Sequence, residues 1–204
     1  MNDPMAHEPV SGGSGAGSRA QDEGRRRTLI EAALRVIERD GAAGVAHRTV
    51  AREAQLPVTA ATSCFENVDA LLTAALTGAM EMDAERVRQL TAAPVDGPGE
   101  AGARGDKRRM LARLMAGSLE DRGLLLAESE LFLLAVRRPE LRSRTHSWSD
   151  ALAGFARLYT RDPVRIRLFT CAYDGLLRQA LLAGEPPTAE EFETLLWALL
   201  PDEG

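Results

Sequence analysis

The sequence predicts an all-α chain, and three observations carry that expectation. Ala and Leu dominate a chain of 204 residues in which only 4% are aromatic, a composition that favours helices. No run alternates β-branched and polar residues, as a half-buried strand requires. Apolar residues recur instead at three- and four-residue spacing between Gly- and Pro-rich breaks. The breaks divide the chain into about nine helices, three short ones in front and longer ones behind. That length suits one large or two small domains with a proper core.

Residues 1–23, with "SGGSGAGS", are rich in Gly and Ser and are expected to form a disordered tail. They lack the apolar centre of a signal peptide, and no strand precedes "GSGAG", so it is not a dinucleotide-binding turn. From Arg25, "RRRTLIEAALRVIERDG" places Ile30, Ala33, Leu34 and Ile37 on one helical face, with Gly41 as the stop. A second helix runs from about His47 to Ala54, turning Val50, Ala51 and Ala54 inward. After the break at Leu56-Pro57 a third runs from Val58 to Cys64. A fourth starts near Asn67, a natural cap, and carries Leu71, Leu72, Ala75, Leu76 and Ala79 towards about residue 90. "TAAPVDGPGEAGARG", residues 91–105, reads as a flexible loop. Further helices follow at about 106–117, 119–137, 139–160, 162–183 and 188–200. Pro139, Asp162-Pro163 and "GEPPT" punctuate them, and Thr188 is an N-cap. This divides the chain into a head at 24–70 and a second domain at 71–204.

The formal charge is −5, while residues 18–70 hold eight Arg against eight Asp or Glu. A basic face therefore exists only if the Arg residues gather on one side; an acidic body does not forbid it. Cys64 and Cys171 make no disulfide framework, and no Cys/His cluster has zinc spacing. The longest apolar run, "LLLAESELFLLAV", contains two Glu and is too short to span a bilayer. A cytoplasmic protein is expected, without membrane association. None of His7, His47 and His146 stands beside a nucleophile or metal ligand at a recognisable spacing. Neither an enzyme nor a cofactor is expected.

"RRTLIEAALRVIERDGAAGVAHRTVAREAQLPVTAATSCFENVDALLTAAL", roughly residues 25–76, resembles the N-terminal domain of TetR-family (tetracycline-repressor-like) transcriptional regulators. The likeness rests on the Ala-rich first helix ending at Gly41, on "RTVAREAQLP", on Phe65 and on "DALLTAAL". The later helices resemble that family only in number, length and composition. The resemblance implies a homodimeric helix-turn-helix repressor. Its two last long helices, here 162–183 and 188–200, form the dimer interface, and its core binds a small-molecule effector that changes the spacing of the heads on double-stranded DNA. Four positions depart from the pattern. Ser63 and Cys64 stand where aromatics precede the Phe, Val68 stands where a Lys follows it, and Gln55 replaces the Gly of the turn. Aromatics and Lys there grip phosphates, which carry much of the affinity. A weaker or differently tuned binder is expected; the alternative is a small-molecule or protein-binding module that kept the fold and lost the DNA.

Within "VTAATSC", Thr59, Ala60, Thr62, Ser63 and Cys64 are small enough for close approach to base edges, through methyl contacts and modest hydroxyl bonds. Arg48, next to Thr49, is the candidate for a bidentate guanine contact. Arg25, Arg26 and Arg27 are candidates for phosphates or for a minor-groove arm, though an ordinary basic helix start is the default. In the second domain Glu128 interrupts an apolar face made by Leu124, Leu125, Leu131 and Phe132. It either orients a ligand or pairs internally with an Arg, for example from "RPELRSRTHSW", the internal pair being the default. Glu130 lies about 200° around the helix and cannot share its cavity. Phe132, Trp148 and Tyr173 are candidate pocket aromatics, with core packing as the alternative. The 162–183 helix is apolar over most of its circumference and needs cover on several sides.

Overall fold

The computed structural model describes residues 14–94, 100–120 and 122–201. Among these residues there are nine α-helices and no strand. They are α1 (Ser14–Asp40), α2 (His47–Glu53), α3 (Val58–Cys64), α4 (Val68–Ala92), α5 (Glu100–Ser118), α6 (Arg122–Arg137), α7 (Arg142–Ala156), α8 (Pro163–Leu182) and α9 (Ala189–Leu199).

Helix ends follow local chemistry. The Asn67 side chain accepts from Ala70 N at 2.8 Å, and Asp162 accepts from Val164 N with Pro163 in the first turn of α8. Thr188 and Glu191 form a reciprocal capping box on α9. Gly41 ends α1 with φ +73°, the left-handed conformation that Gly tolerates.

Two expectations are corrected. Residues 14–23, taken from their Gly and Ser as part of a disordered tail, are the first turns of α1; residues 1–13 lie outside the described residues. Ala20, Gln21, Asp22 and Glu23 sustain the helix, and Arg25 pairs with Asp22 at 2.8 Å, an i,i+3 contact that supports it. The 91–105 loop is also shorter than its Pro and Gly suggest, because α4 reaches Ala92 and α5 starts at Glu100; residues 95–99 lie outside the described ones. The Lys107 ammonium donates to the carbonyls of Leu90, Thr91 and Ala93, closing the end of α4 with a cation where the helix dipole favours one. Gly105 belongs to α5 and lies against α9, where a Cβ would make an ordinary 3.8 Å contact with the Trp197 ring.

The head is α1–α3 with the start of α4, packed around Leu29, Ala33, Val36, Ile37, Val50, Ala51, Ala61, Phe65 and Leu71. The buried stripe of α1 is turned by about one residue from the expected one: Ala33 and Ile37 are fully inside, Ile30 and Leu34 only half so. Glu53 clasps α2 to α1 through Arg35 and Arg39, each at 3.0 Å.

Behind the head, α4 packs along α6 and α7, α5 pairs with α9, and α8 lies on α7. Arg108 of α5, fully buried, is stacked between Tyr159 and Trp197 and donates to Leu200 O at 2.8 Å. Head and core meet where α1 crosses α6. A Cβ at Gly123 would lie 3.0 Å from Glu38 Cβ and 3.3 Å from Leu34 O, so this crossing is close because Gly makes it so.

Gln55 holds φ +55° in the turn between α2 and α3. That conformation costs a non-Gly residue roughly 1–2 kcal/mol, against roughly 0.5–1 kcal/mol for the added unfolded freedom of Gly. Gln55→Gly is expected to raise unfolding stability by about 0.5–1 kcal/mol in urea denaturation. A loss of stability would show that the turn is not strained.

Candidate functional site

On the head, α3 exposes Thr59, Thr62 and Ser63 and keeps Ala60 and Cys64 half-buried. The hydroxyls of Thr62 and Ser63 donate back to their own helix, to Thr59 O at 3.2 Å and Ala60 O at 3.0 Å. Their lone pairs are thus left to face outward from an exposed helix face. Arg48, the second residue of α2, is exposed beside a half-buried Thr49. Neither Arg48 nor Arg27 has an ion pair among the described residues.

The Arg triplet does not act as one unit. It lies well inside α1 and is therefore no flexible arm. Arg25 is paired with Asp22. Arg26, expected at DNA, is turned to the fold: its guanidinium lies 4.4 Å from the Phe65 ring centre and donates to Cys64 O at 3.2 Å. It closes the C-terminal end of α3 and fixes that helix against α1. Arg27 alone of the three is exposed and without an ion pair among the described residues.

In the core, three carboxyl groups from three helices act on one another. Asp83 of α4 and Glu128 of α6 are buried, and Asp174 of α8 is half-buried. Two of the three, Glu128 and Asp174, line a pocket with Leu125, Ser129, Phe132, Leu177, Arg178 and Leu181. Glu128 Oε1 has no hydrogen-bond partner among the described residues. Among the described residues the cation that acts on it is Arg178 of α8, rather than Arg138 or Arg142 of the stretch expected to pair with it. Burial, then the charges of Asp83 and Asp174, hold the Glu128 carboxyl well above the usual carboxylate range, helped by its hydrogen bond with Asp83 and opposed by Arg178. Burial also raises Asp174, against the Trp148 Nε1 bond at 2.9 Å and the Arg178 charge.

Of the expected pocket residues, Glu128 and Phe132 line the cavity. Trp148 stands behind it and holds Asp174. Tyr173 is fully buried, edge-on to Trp148 at 5.6 Å, and its burial, then the same carboxyl groups, push its phenol up. Asp83, Asp174 and Arg178 were not picked out from the sequence. The signal for Asp83 was its place between Ala79, Met80, Ala84 and Val87, all buried; for Asp174 it was its place as the one acid of α8, between Tyr173 and Leu177. Glu130, on the other side of α6, accepts from Ala42 N at 3.1 Å in the turn that follows α1, and Arg138 pairs with Asp69 at the start of α4.

Residues 104–202 match the family described as the tetracyclin repressor-like C-terminal domain. The whole architecture matches a member of the TetR family, SCO1917 from Streptomyces coelicolor A3. The TM-score is 0.67 at 34% identity, over 87% of this chain and 98% of that one. The chain belongs to the TetR family. A second similar TetR-fold structure is the multidrug binding protein EbrR complexed with ethidium, 34% identical, TM-score 0.63, covering 86% of this chain and 97% of that one; EbrR is also known with proflavin and with malachite green. The HTH-type nicotine-responsive transcriptional repressor HdnoR of Paenarthrobacter nicotinovorans is 36% identical over 115 residues. That match spans 56% of this chain and 56% of HdnoR.

Because the folded TetR-family chain holds the Glu128 proton above pH 4.5, near which the unfolded chain releases it, stability is greatest below that pH. It is lost as pH rises towards the folded pKa. Glu128→Gln lacks this loss. Its stability relative to wild type is expected to climb by up to about 1.4 kcal/mol per pH unit through that window, measured by urea denaturation between pH 4.5 and 8. A difference that does not change with pH would refute the buried, protonated state.

Proposed function

We propose that this TetR-family chain is a homodimeric, effector-responsive transcriptional repressor of the cytoplasm, binding a pseudo-palindromic operator and sensing an aromatic cation. One observation carries the reading. α6 presents Glu128 to the acidic pocket and Glu130, two residues on, to the head. A ligand that moves Glu128 therefore acts on a helix that directly holds the turn after α1, and moves the head with it.

The charge of the pocket supports the effector class. The Asp174 carboxylate and the ring of Phe132 suit a flat ring bearing a positive charge, with the protonated Glu128 offering its unpartnered Oε1 as an acceptor. Ethidium, proflavin and malachite green, the ligands of EbrR, are aromatic cations, and nicotine, to which HdnoR responds, is a protonated amine near neutral pH. Among the described residues no helix is long and apolar enough to cross a membrane.

Dimerisation is supported by α8. Val164, Leu168 and Leu182 are 64%, 61% and 88% exposed, large values for apolar side chains. With Cys171 and Gly175 they form one stripe at helical spacing. A second copy of the stripe, with Leu195 of α9, covers it in an isologous interface. Paired heads then meet successive turns of one duplex face, about 34–36 Å apart. Thr59, Ala60, Thr62, Ser63 and Arg48 face the bases, and Arg27 the backbone. The absence of aromatics at Ser63 and Cys64 and of a Lys at Val68 supports a second reading, a sensor without DNA affinity.

Gel retardation of the protein's own upstream region at two salt concentrations tests the first reading against the second. Binding that weakens steeply with salt is expected, and Arg48→Ala is expected to weaken it about tenfold or more. No retardation at low salt would leave the second reading. Leu168→Glu is expected to give a folded monomer in sedimentation equilibrium with no retarded complex; a dimer that persists would place the interface elsewhere.

A further inference from the structure

The pocket at Glu128 already contains a cation belonging to the chain. Arg178 lies one helical turn beyond Asp174 on α8, 3.9 Å from its carboxylate, with its guanidinium carbon 5.2 Å from the centre of the Phe132 ring. These are the two contacts that a positively charged aromatic ligand would make there. Both are loose. The ion pair is at the limit of contact and the Arg178 side chain is 46% exposed, conditions in which such pairs contribute little. Asp174, in contrast, is firmly held from behind by Trp148 at 2.9 Å.

The remaining lining supports the same view. Free space enclosed by the pocket is only about 20 Å³, room for about one water, whereas ligand sites are usually several hundred Å³. Leu125, Glu128 and Leu177 are buried, Ser129, Phe132, Asp174 and Leu181 are half-buried, and Arg178 alone of the lining is exposed. The side chain that covers the pocket is thus the one that carries its positive charge.

We propose that Arg178 is a resident counter-ion that occupies the place of the effector's charge, and that an effector binds by displacing its guanidinium from Phe132 and Asp174. This rests on the reading of the pocket as the effector site. The consequence is selectivity. A neutral aromatic molecule gains the Phe132 face but has nothing to offer Asp174 and Glu128 in exchange for Arg178. A cation replaces what it removes, and moves the displaced guanidinium into water, where exposure already places half of it. Arg178 therefore sets both the charge requirement and the concentration at which the protein responds.

The test is ethidium titration, followed by its fluorescence at pH 8, of the full chain and three variants. Arg178→Met keeps the length of the side chain and removes its charge; it is expected to bind ethidium about five- to tenfold more tightly than wild type. Arg178→Lys retains a cation and is expected to stay within about twofold of wild type. Arg113→Met removes an exposed charge on α5, away from the pocket, and is expected to change nothing. Unchanged or weaker binding by Arg178→Met, or equal tightening by Arg113→Met, overturns the role of Arg178 while leaving the cation site intact. No binding by any of the four proteins overturns the cationic reading and this proposal together. Binding by Arg178→Met alone supports the proposal in its strongest form.

Discussion

Removing a carboxyl group from water is costly, and at Glu128 the core has been arranged around that cost. An ionised, unpartnered carboxylate there would lose several kcal/mol of hydration. The chain answers by keeping the proton and sharing it with Asp83, while Arg86 pairs with Asp83 at 2.7 Å on its other side. Asp174 is satisfied in turn by Trp148 and, weakly, by Arg178. Four helices, α4, α6, α7 and α8, are therefore tied to one electrostatic arrangement. It is complete enough to fold, yet leaves Glu128 Oε1 without a partner among the described residues, where an arriving positive charge would gain an interaction in the reading proposed above. Such a gain available only in the occupied state is what a ligand needs in order to shift a conformational equilibrium.

The head is held by charge as well, but at its edges. Glu53 bridges to Arg35 and Arg39 on one side, and Arg26 joins α1 to Phe65 and the end of α3 on the other. α3 is only seven residues long, too short to be stable by itself, so these attachments and the burial of Ala61 and Phe65 set its orientation. The surface they leave outward is small and hydroxylic, with Arg48 and Arg27 beside it. A basic triplet in the sequence thus divides in the structure between holding the fold and facing solvent.

Much of this was legible in the residues. Caps at Asn67 and Thr188, the break at Asp162-Pro163, the stop at Gly41 and the interruption of an apolar face by Glu128 are local signals, and local signals survive folding. The start of α1 was not legible, because Gly and Ser there masked the helix-forming residues that follow. Nor was the start of α5, whose neighbour α4 is closed by Lys107 from the far side of the loop. The partners of Glu128 were the largest omission. Asp83 and Asp174 are 91 residues apart in the chain, and nothing in either helix indicates that α4 and α8 bring them to the same acid. The same holds for Arg26, whose partner at Cys64 is 38 residues away.

The missing side chain at Gly123 has an effect out of proportion to its size. With no methyl group between them, α1 and α6 approach closely at this point, so in the repressor proposed above a displacement of α6 would press directly on α1. Pocket residues on α8 are therefore open to replacement by evolution, or by a biosensor engineer seeking a new inducer, provided that this seam is left as it is.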